Sequence, residues 1–329
     1  MASEANSFGR ELTLGVEEEL FLVDPETFAA APGVERLLGP PGLKTELFSC
    51  LVEINTPVCE SADEVLAELI RLRGVVREAA GREGLALAAT ASHPFSAPEE
   101  QEIVAEPRYL DLVEERPAAR RQLVCGLHVH VGMASFGRCL ETLEFVLPWL
   151  PAVLAVSLNS PYLGGEDHGL YSARAGLLLE LPRAGPPPLL GRGEGWAEAV
   201  ERAGGDYTRI WWDVRPHPRL GTLEIRMADQ PTDVRRSAAI AALVQALCAS
   251  AVAVEPADRG AFLEARANAA SGRAPVAELL QLVEAAAREL GTWELVETLR
   301  SPPEAHRQLE VGNRDGLVAV AADLVARTT

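Results

Sequence analysis

The sequence predicts an α+β domain built on a mainly antiparallel sheet, and three observations lead there. Stretches with two-residue periodicity fall at about 12–23, 47–56, 85–92, 123–133 and 220–228. Their spacing is irregular, and neither a G-x-G-x-x-G nor a P-loop occurs, which argues against a doubly wound parallel sheet. From about residue 233 onward the chain reads as helix after helix. No composition shift, internal repeat or low-complexity linker divides it, so residues 1–329 read as one domain.

The elements follow in chain order. "APGVERLLGPPG" (31–42) is a loop by its proline and glycine content. "SADEVLAELIRLRGVVREAAGREG" (61–84) is a helix: Ser61 and Glu64 form a capping box, and Leu66, Leu69, Ile70 and Val76 supply the apolar recurrence. Gly81 and Gly84 end it. "GLALAATASHPF" is a strand entering a loop, and residues 136–160 are helical but broken near Pro148 and Pro151. Residues 181–195 form a surface loop. The long uncharged run Ser237–Val254 approaches the length of a membrane span, but its alanines and Gln245 mark a buried helix instead.

Composition narrows the function. The chain is 48% hydrophobic, enough for a sizeable core, and 48 acidic against 30 basic residues give a net charge of −18. That argues against nucleic acid or an anionic membrane as the main partner. The N-terminus shows no apolar signal segment, and the five cysteines (50, 59, 125, 139, 248) form no C-x-x-C pair. A cytoplasmic protein with reduced thiols is expected.

The strands carry the chemistry. Residues two apart share a strand face. In "LGVEEELFLV", Glu17 and Glu19 share one face, while Glu18 falls with Val16, Leu20 and Leu22. In "VCGLHVHVGM", His128 and His130 lie opposite Leu127, Val129 and Val131, between Gly126 and Gly132. In "GTLEIRMAD", Thr222, Glu224 and Arg226 oppose Leu223, Ile225 and Met227, and Glu53 opposes Val52 and Ile54. A solvated sheet face explains any one of these strands. Read together, the polar faces are narrow in type, with Glu, His and Arg but little Lys, Ser or Gln, and the glycines leave room for something to approach. If the strands are neighbours, Glu17, Glu19, Glu53, Glu224 and His128 converge. Like charges about 5 Å apart disfavour one another by a few kcal/mol, so such a cluster calls for cations. Carboxylates with one imidazole and no thiolate suit Mg²⁺ or Mn²⁺. Hard cations beside Arg226 suit phosphoryl transfer, with Arg226 stabilising the transferring group.

The same residues carry a resemblance. "TLGVEEELFLVDPET", "ELFSCLVEINTPVC", "RRQLVCGLHVHVGM", "NSPYLGGEDHGLYSAR" and "IWWDVRPHPRLGTLEIRMAD", with a fainter "RQLEVGNRDGLVAVAADLVART", resemble the carboxylate-amine ligase family, or glutamate–cysteine ligase type 2. Together they span nearly the whole chain, in order. The resemblance implies a glutamine synthetase/guanido kinase-like fold, a curved sheet with the active site on its concave face and helices outside. It implies an ATP- and Mg²⁺- (or Mn²⁺-) dependent ligase: glutamate's γ-carboxylate is phosphorylated, and an amine, that of cysteine by default, displaces phosphate, as in glutathione biosynthesis.

Carried over by motif, Glu17, Glu19, Glu46, Glu53, His128 and Glu224 are metal ligands, and Arg226 is the catalytic arginine. The implied grouping is Glu17, His128 and Glu224 on one ion and Glu19, Glu46 and Glu53 on another. Arg174, Arg215, His130, Tyr171 and Trp211 are substrate-binding candidates, each with a structural alternative, and Asn159, Ser172 and Trp212 are candidate pocket walls. His93, His217 and His306 read as ordinary histidines, and Glu18 as structural, paired with a basic side chain. The chain is short for the family, with regions 29–43 and 96–108 trimmed, and His168 stands where relatives carry a small hydroxyl residue. The acceptor, the metal count and any homo-oligomer stay open. Two other classes stay open with them: a Zn²⁺ or Fe²⁺ hydrolase or oxygenase using H-x-H, and a non-catalytic nucleotide-binding relative.

Overall fold

Seven strands form one sheet: β1 (Leu14–Val23), β2 (Leu43–Thr45), β3 (Leu51–Asn55), β4 (Ala86–Ala88), β5 (Gly126–Gly132), β6 (Val214–His217) and β7 (Thr222–Asp229). The structure, a computed structural model, describes residues 7–191 and 193–328. The order is β6-β7-β5-β1-β3-β2, and every pairing in this sheet is antiparallel. Residues 17 and 18 of β1 pair with both β3 and β5, and Phe21 pairs with both β3 and β4, so β4 continues the β5 edge. A parallel pair, Ala184–Gly185 with Trp211–Trp212, lies apart from it.

The predicted strands are present, with two additions. β2 is only three residues long and gives no readable alternation. β6 contains Pro216, which argues against a central strand; β6 is an edge, where the missing N–H costs no ladder bond. The region 31–42, read as loop, contains the short helix Val34–Leu37, and two further helices, Pro107–Glu115 and Glu194–Arg202, lie where no helix was expected. The break near Pro148 and Pro151 is real, a 3₁₀ turn at Leu147–Trp149 between helices Phe136–Val146 and Leu150–Ser157. That whole run, Phe136–Ser157, is long and apolar enough to cross a membrane, yet most of it is buried inside the protein. The alanine-rich run becomes the buried helix Val234–Ala249.

Helix Ala62–Arg82 begins with Ser61 accepting from the Glu64 N–H at 3.3 Å. The return bond of the expected capping box goes elsewhere: Glu64 accepts from the Glu60 N–H. The buried stripe is Val65, Leu69, Leu72 and Val76, and Ile70 faces solvent. This helix and Val234–Ala249 pack together against the sheet's apolar face, where Val16, Leu20, Val52, Ile54, Leu127, Val129 and Ile225 are all buried.

Glu18 lies on that same apolar face, fully buried. Arg73 of helix Ala62–Arg82 meets it with two parallel bonds of 2.7 Å. The remaining Arg73 donors reach the Pro231 and Thr232 carbonyls, and Gln230 donates to Glu18. The middle glutamate of the triplet therefore bolts β1 to a helix and to the loop that follows β7.

Replacing Arg73 with Met would leave a buried, unpaired carboxylate, with an expected loss of about 3–5 kcal/mol. The double change Glu18→Leu/Arg73→Met should recover most of that loss, since no charge remains. Urea denaturation of the three proteins checks this, and equal losses in the single and double variants would count against it.

Candidate active site

Register decides which polar residues meet. Glu17 faces His128 on β5 and Asn55 on β3; Glu19 faces Glu53; Glu224 faces His130 on one side and Arg215 on the other. These residues share the face opposite Glu18. β7 carries a bulge: between the pairs Ile225–Val129 and Ala228–Leu127, Arg226 and Met227 oppose the single residue His128.

Two acidic groups result, each with its ligand atoms within 4.8 Å of one another: Glu17, His130 and Glu224, and Glu19, Glu46 and Glu53. The second is the expected set. In the first, His130 stands where the resemblance implies His128. His128 lies between the groups, its Nδ1 3.2 Å from Glu17 and its Nε2 3.8 Å from Glu19. His130 Nδ1 meets the Thr222 hydroxyl at 3.0 Å, and its buried Nε2, 3.5 Å from Glu17, has no hydrogen-bond partner among the described residues.

The glycines beside the histidines make room for the chain itself. A Cβ on Gly126 would strike Arg174 at 2.2 Å, and one on Gly132 would strike the Arg10 carbonyl at 1.8 Å. The Gly126 N–H also donates to Glu19 at 2.6 Å.

Electrostatics separates the two groups. Burial works to raise Glu17, but the two imidazoles beside it outweigh burial and hold it well below the usual carboxylate range. Burial likewise works against Glu224, and Arg215 and Arg226 reverse it; Glu224 is held low. The second group has no such cover. Burial, then the Glu46 charge, pushes Glu19 up to about 8. Burial, then Glu17 and Glu46, pushes Glu53 to about 7, and burial also raises Glu46. Burial lowers His128 to about 4, helped by Arg226.

Two cavities open on this face. One of about 660 Å³ is lined by Gly15, Glu17, Lys44, Asn55, His130 and Arg219, among others. The other, of about 530 Å³, is lined by Glu19, Glu46, His128, Arg174, Trp211 and Arg226, with Arg108 and Tyr109 on its wall. Each acidic group thus opens on its own cavity. Arg226 joins them, bonding Glu224 of the first group while lining the second cavity.

The other candidates sort by place. Arg215 does not line either cavity: it grips Glu224 through Nε (2.6 Å) and Nη2 (3.2 Å) and bonds the Tyr207, Thr208 and Ile210 carbonyls. It supports a carboxylate, contrary to the substrate contact expected of it. Arg174 satisfies the carbonyls of residues 226–228 that the bulge leaves open and sits 3.7 Å from Asp229; its buried Nε has no partner among the described residues. Asn159 and Ser172 are fully buried and bond Asp229, so they brace Arg174 and are not pocket walls. Trp211 lines the second cavity under Arg116, whereas Trp212 packs against Trp196. Tyr171 stacks on His306 at 4.7 Å, away from both cavities, because Gly272 leaves its ring that space. His168 is exposed and lines neither cavity. His217, read as ordinary, lines the first cavity edge-on to His130. Sequence reasoning also missed Asn55, though it shares strand parity with Glu53. It missed Arg108 and Tyr109 as well, in a region without periodicity.

The residues fit hard divalent cations. The donors are five carboxylates and one imidazole, the buried His130 Nε2 has no hydrogen bond among the described residues, and Glu19 and Glu53, raised to about 8 and about 7, would give up protons to a cation. A profile of the family described as glutamate-cysteine ligase family 2 (GCS2) matches residues 13–317. The chain belongs to this family. A Rubrobacter xylanophilus relative with the provisional name glutamate--cysteine ligase 2-3 is 38% identical, covering 96% of this chain and 97% of its own. A second from that organism, provisionally ligase 2-1, is 37% identical over 76% of this chain and 70% of its own. Among solved structures, a glutamate–cysteine ligase from Francisella tularensis in complex with AMP aligns with a TM-score of 0.76. It covers 98% of this chain and 89% of that one, at 13% identity. A bifunctional glutathione synthetase from Pasteurella multocida aligns at 0.72, covering 97% and 53%, at 16% identity. The GCS2 chain therefore has the expected ligase fold, with its acidic groups on the open face and helices on the other.

A pH dependence follows. Glu19 and Glu53 lie above the ordinary value of 4.5 in the folded, metal-free protein. Below about pH 4.5 both are protonated whether folded or not, and the folded state bears no penalty. As pH rises toward 8 the unfolded chain releases protons that the folded site retains, so stability falls, by up to about 1.4 kcal/mol per pH unit per group. Between pH 5 and 6.5 the fall is offset by His93, His128 and His217, which burial lowers to about 4 and which therefore stabilise the fold as the unfolded imidazoles lose their protons. Melting temperature in EDTA should therefore drop from about pH 6.5 to 8, and saturating Mn²⁺ should flatten the drop. A melting temperature indifferent to both would contradict the site electrostatics.

Proposed function

We propose that this GCS2 protein is an ATP-dependent carboxylate–amine ligase that uses Mg²⁺ or Mn²⁺, with glutamate as donor and cysteine as the default amine. The observation that carries the reading is the pair of acidic groups on one sheet face, each opening on a separate cavity, with Arg226 touching both sides. Such an arrangement suits two substrates that meet across a row of ligands. Family membership and the AMP bound by the Francisella relative support the nucleotide.

In this reading a glutamate γ-carboxylate oxygen attacks the γ-phosphorus of ATP, and the bond to ADP breaks. The amine nitrogen then attacks the acyl carbon, loses a proton, and phosphate leaves. Glu17, His130 and Glu224 would hold one cation and Glu19, Glu46 and Glu53 another, supplying charge neutralisation at the phosphate oxygens. Arg226 faces the transferring phosphoryl group and stabilises its charge. Glu224 fixes Arg226, and Arg215 fixes Glu224. Glu17 and Glu224, held well below the usual range, stay ionised through neutral pH. Arg174 ties down the bulge from which Arg226 projects and lines the second cavity, where its positive charge suits a substrate carboxylate. A zinc or iron hydrolase is less well matched, because each acidic group contains at most one imidazole.

The test is ADP release with ATP, Mg²⁺ and glutamate against cysteine and a panel of other amines, with EDTA as control. ADP that appears with one amine and vanishes with EDTA names the acceptor; bound ATP with no release under any amine supports a non-catalytic relative. Glu53→Gln and Arg226→Ala should each lower kcat by about 10²–10³ or more with an unchanged circular-dichroism spectrum. Activity that survives both refutes the assignment.

A further inference from the structure

Lys44 is the only lysine in the chain; the other 29 of its 30 basic residues are arginine. Three buried carboxylates elsewhere are met by an arginine fork: Glu18 by Arg73, Glu224 by Arg215, Asp213 by Arg266. The group Glu19, Glu46 and Glu53 is different. Among the described residues no arginine forms an ion pair with any of the three, and the cation that touches the group is Lys44. Its Nζ lies 3.2 Å from Glu53 Oε1 and 3.0 Å from Asn55 Oδ1, while Asn55 donates to the same Glu53 oxygen at 2.6 Å.

The chemistry of the two cations differs where it matters. An arginine fork holds a carboxylate through two parallel bonds and is already shaped for it. An ammonium is a point charge on a flexible stem, and an ion pair as exposed as this one is weak. The Lys44 side chain is 56% exposed and the Glu53 side chain 12% exposed, so one partner can leave while the other is fixed. Lys44 also has somewhere to go. It lines the first cavity, whereas the Glu19–Glu46–Glu53 group opens on the second.

Resting on the metal-dependent reading above, we propose that Lys44 is a displaceable counter-ion. It neutralises Glu53 while the second acidic group lacks a divalent cation, and withdraws toward the first cavity when a cation binds. It is a positioning residue that acts through Glu53 and sets how readily that group exchanges one positive charge for another. Arginine at this position would hold the carboxylate too firmly, and a neutral side chain would leave nothing to displace.

Mn²⁺ titration of the purified protein by electron paramagnetic resonance, with Mn²⁺ alone, tests this against Lys44→Met and Lys44→Arg. Lys44→Met should tighten one class of Mn²⁺ site by about 2–5-fold, the range that loss of a weak competing ion pair allows. Lys44→Arg should weaken that class by a similar factor, although the charge is unchanged. Being exposed, neither substitution should move the melting temperature of the metal-free protein by more than about 2 °C. A direct readout comes from reductive methylation with ¹³C-formaldehyde, which keeps the charge and labels one lysine. Its methyl resonance should shift on Mg²⁺ addition with the occupancy of the site. If Mn²⁺ binds with the same affinity to all three proteins, or the resonance stays still while Mg²⁺ binds, the role given to Lys44 is overturned and the metal reading stands. No Mn²⁺ binding by the unsubstituted protein overturns both.

Discussion

Five carboxylates share one face of a seven-stranded sheet, and their mutual repulsion is the constraint around which the other charged groups are arranged. Three of the answers to it differ in kind. Glu224 is clamped by two guanidinium groups and stays ionised. Glu17 draws on two imidazoles. Glu19, Glu46 and Glu53 have no such clamp: burial raises all three, Glu19 to about 8 and Glu53 to about 7, with one loosely placed ammonium at the edge. The first two answers hold charge in place. The third leaves a vacancy of charge, which is the property a site must have if a cation is to be taken up from solution.

The apolar side of the sheet explains how such repulsion is tolerated. Glu17 and Glu19 project from β1 on either side of Glu18, and Glu18 is locked to Arg73 among buried aliphatic side chains. The bidentate pair fixes the strand at the point where its neighbours would otherwise splay. The Pro231 and Thr232 carbonyls, also held by Arg73, tie the end of β7 to the same helix. Two of the strands that carry the acidic residues are thus anchored through one guanidinium.

Much of this was legible because period-two alternation is a local property. It put Glu17, Glu19, Glu53, His130 and Glu224 on polar faces and set Glu18 apart, with a basic partner expected for it. The grouping of ligands was not legible in that way. His128 and His130 have the same parity, and only the pairing of β7 with β5 brings His130 beside Glu224. Arg215 and Tyr171 lay in motifs that promised contact with substrate, but their direction depends on partners that strand parity does not name, Ile210 and, across a tight turn, Glu224 for one and distant His306 for the other. Short β2 and proline-bearing β6 escaped because three or four residues give too little alternation to read.

The bulge at Arg226 and Met227 reverses the strand's parity. Up to Ile225, even-numbered residues of β7 look toward the cavities; beyond the bulge, Asp229 pairs with Gly126 and the odd-numbered residue takes that direction. One strand therefore delivers Glu224 and Asp229, five positions apart, to the same side, which an uninterrupted strand cannot do. A single-residue deletion here would turn Asp229 into the apolar layer and leave Arg174 without its counter-charge. Position-by-position alignment of GCS2 chains through "EIRMAD" is meaningful only if the extra residue is kept in register, because a gap placed one residue away exchanges inside for outside over the rest of the strand.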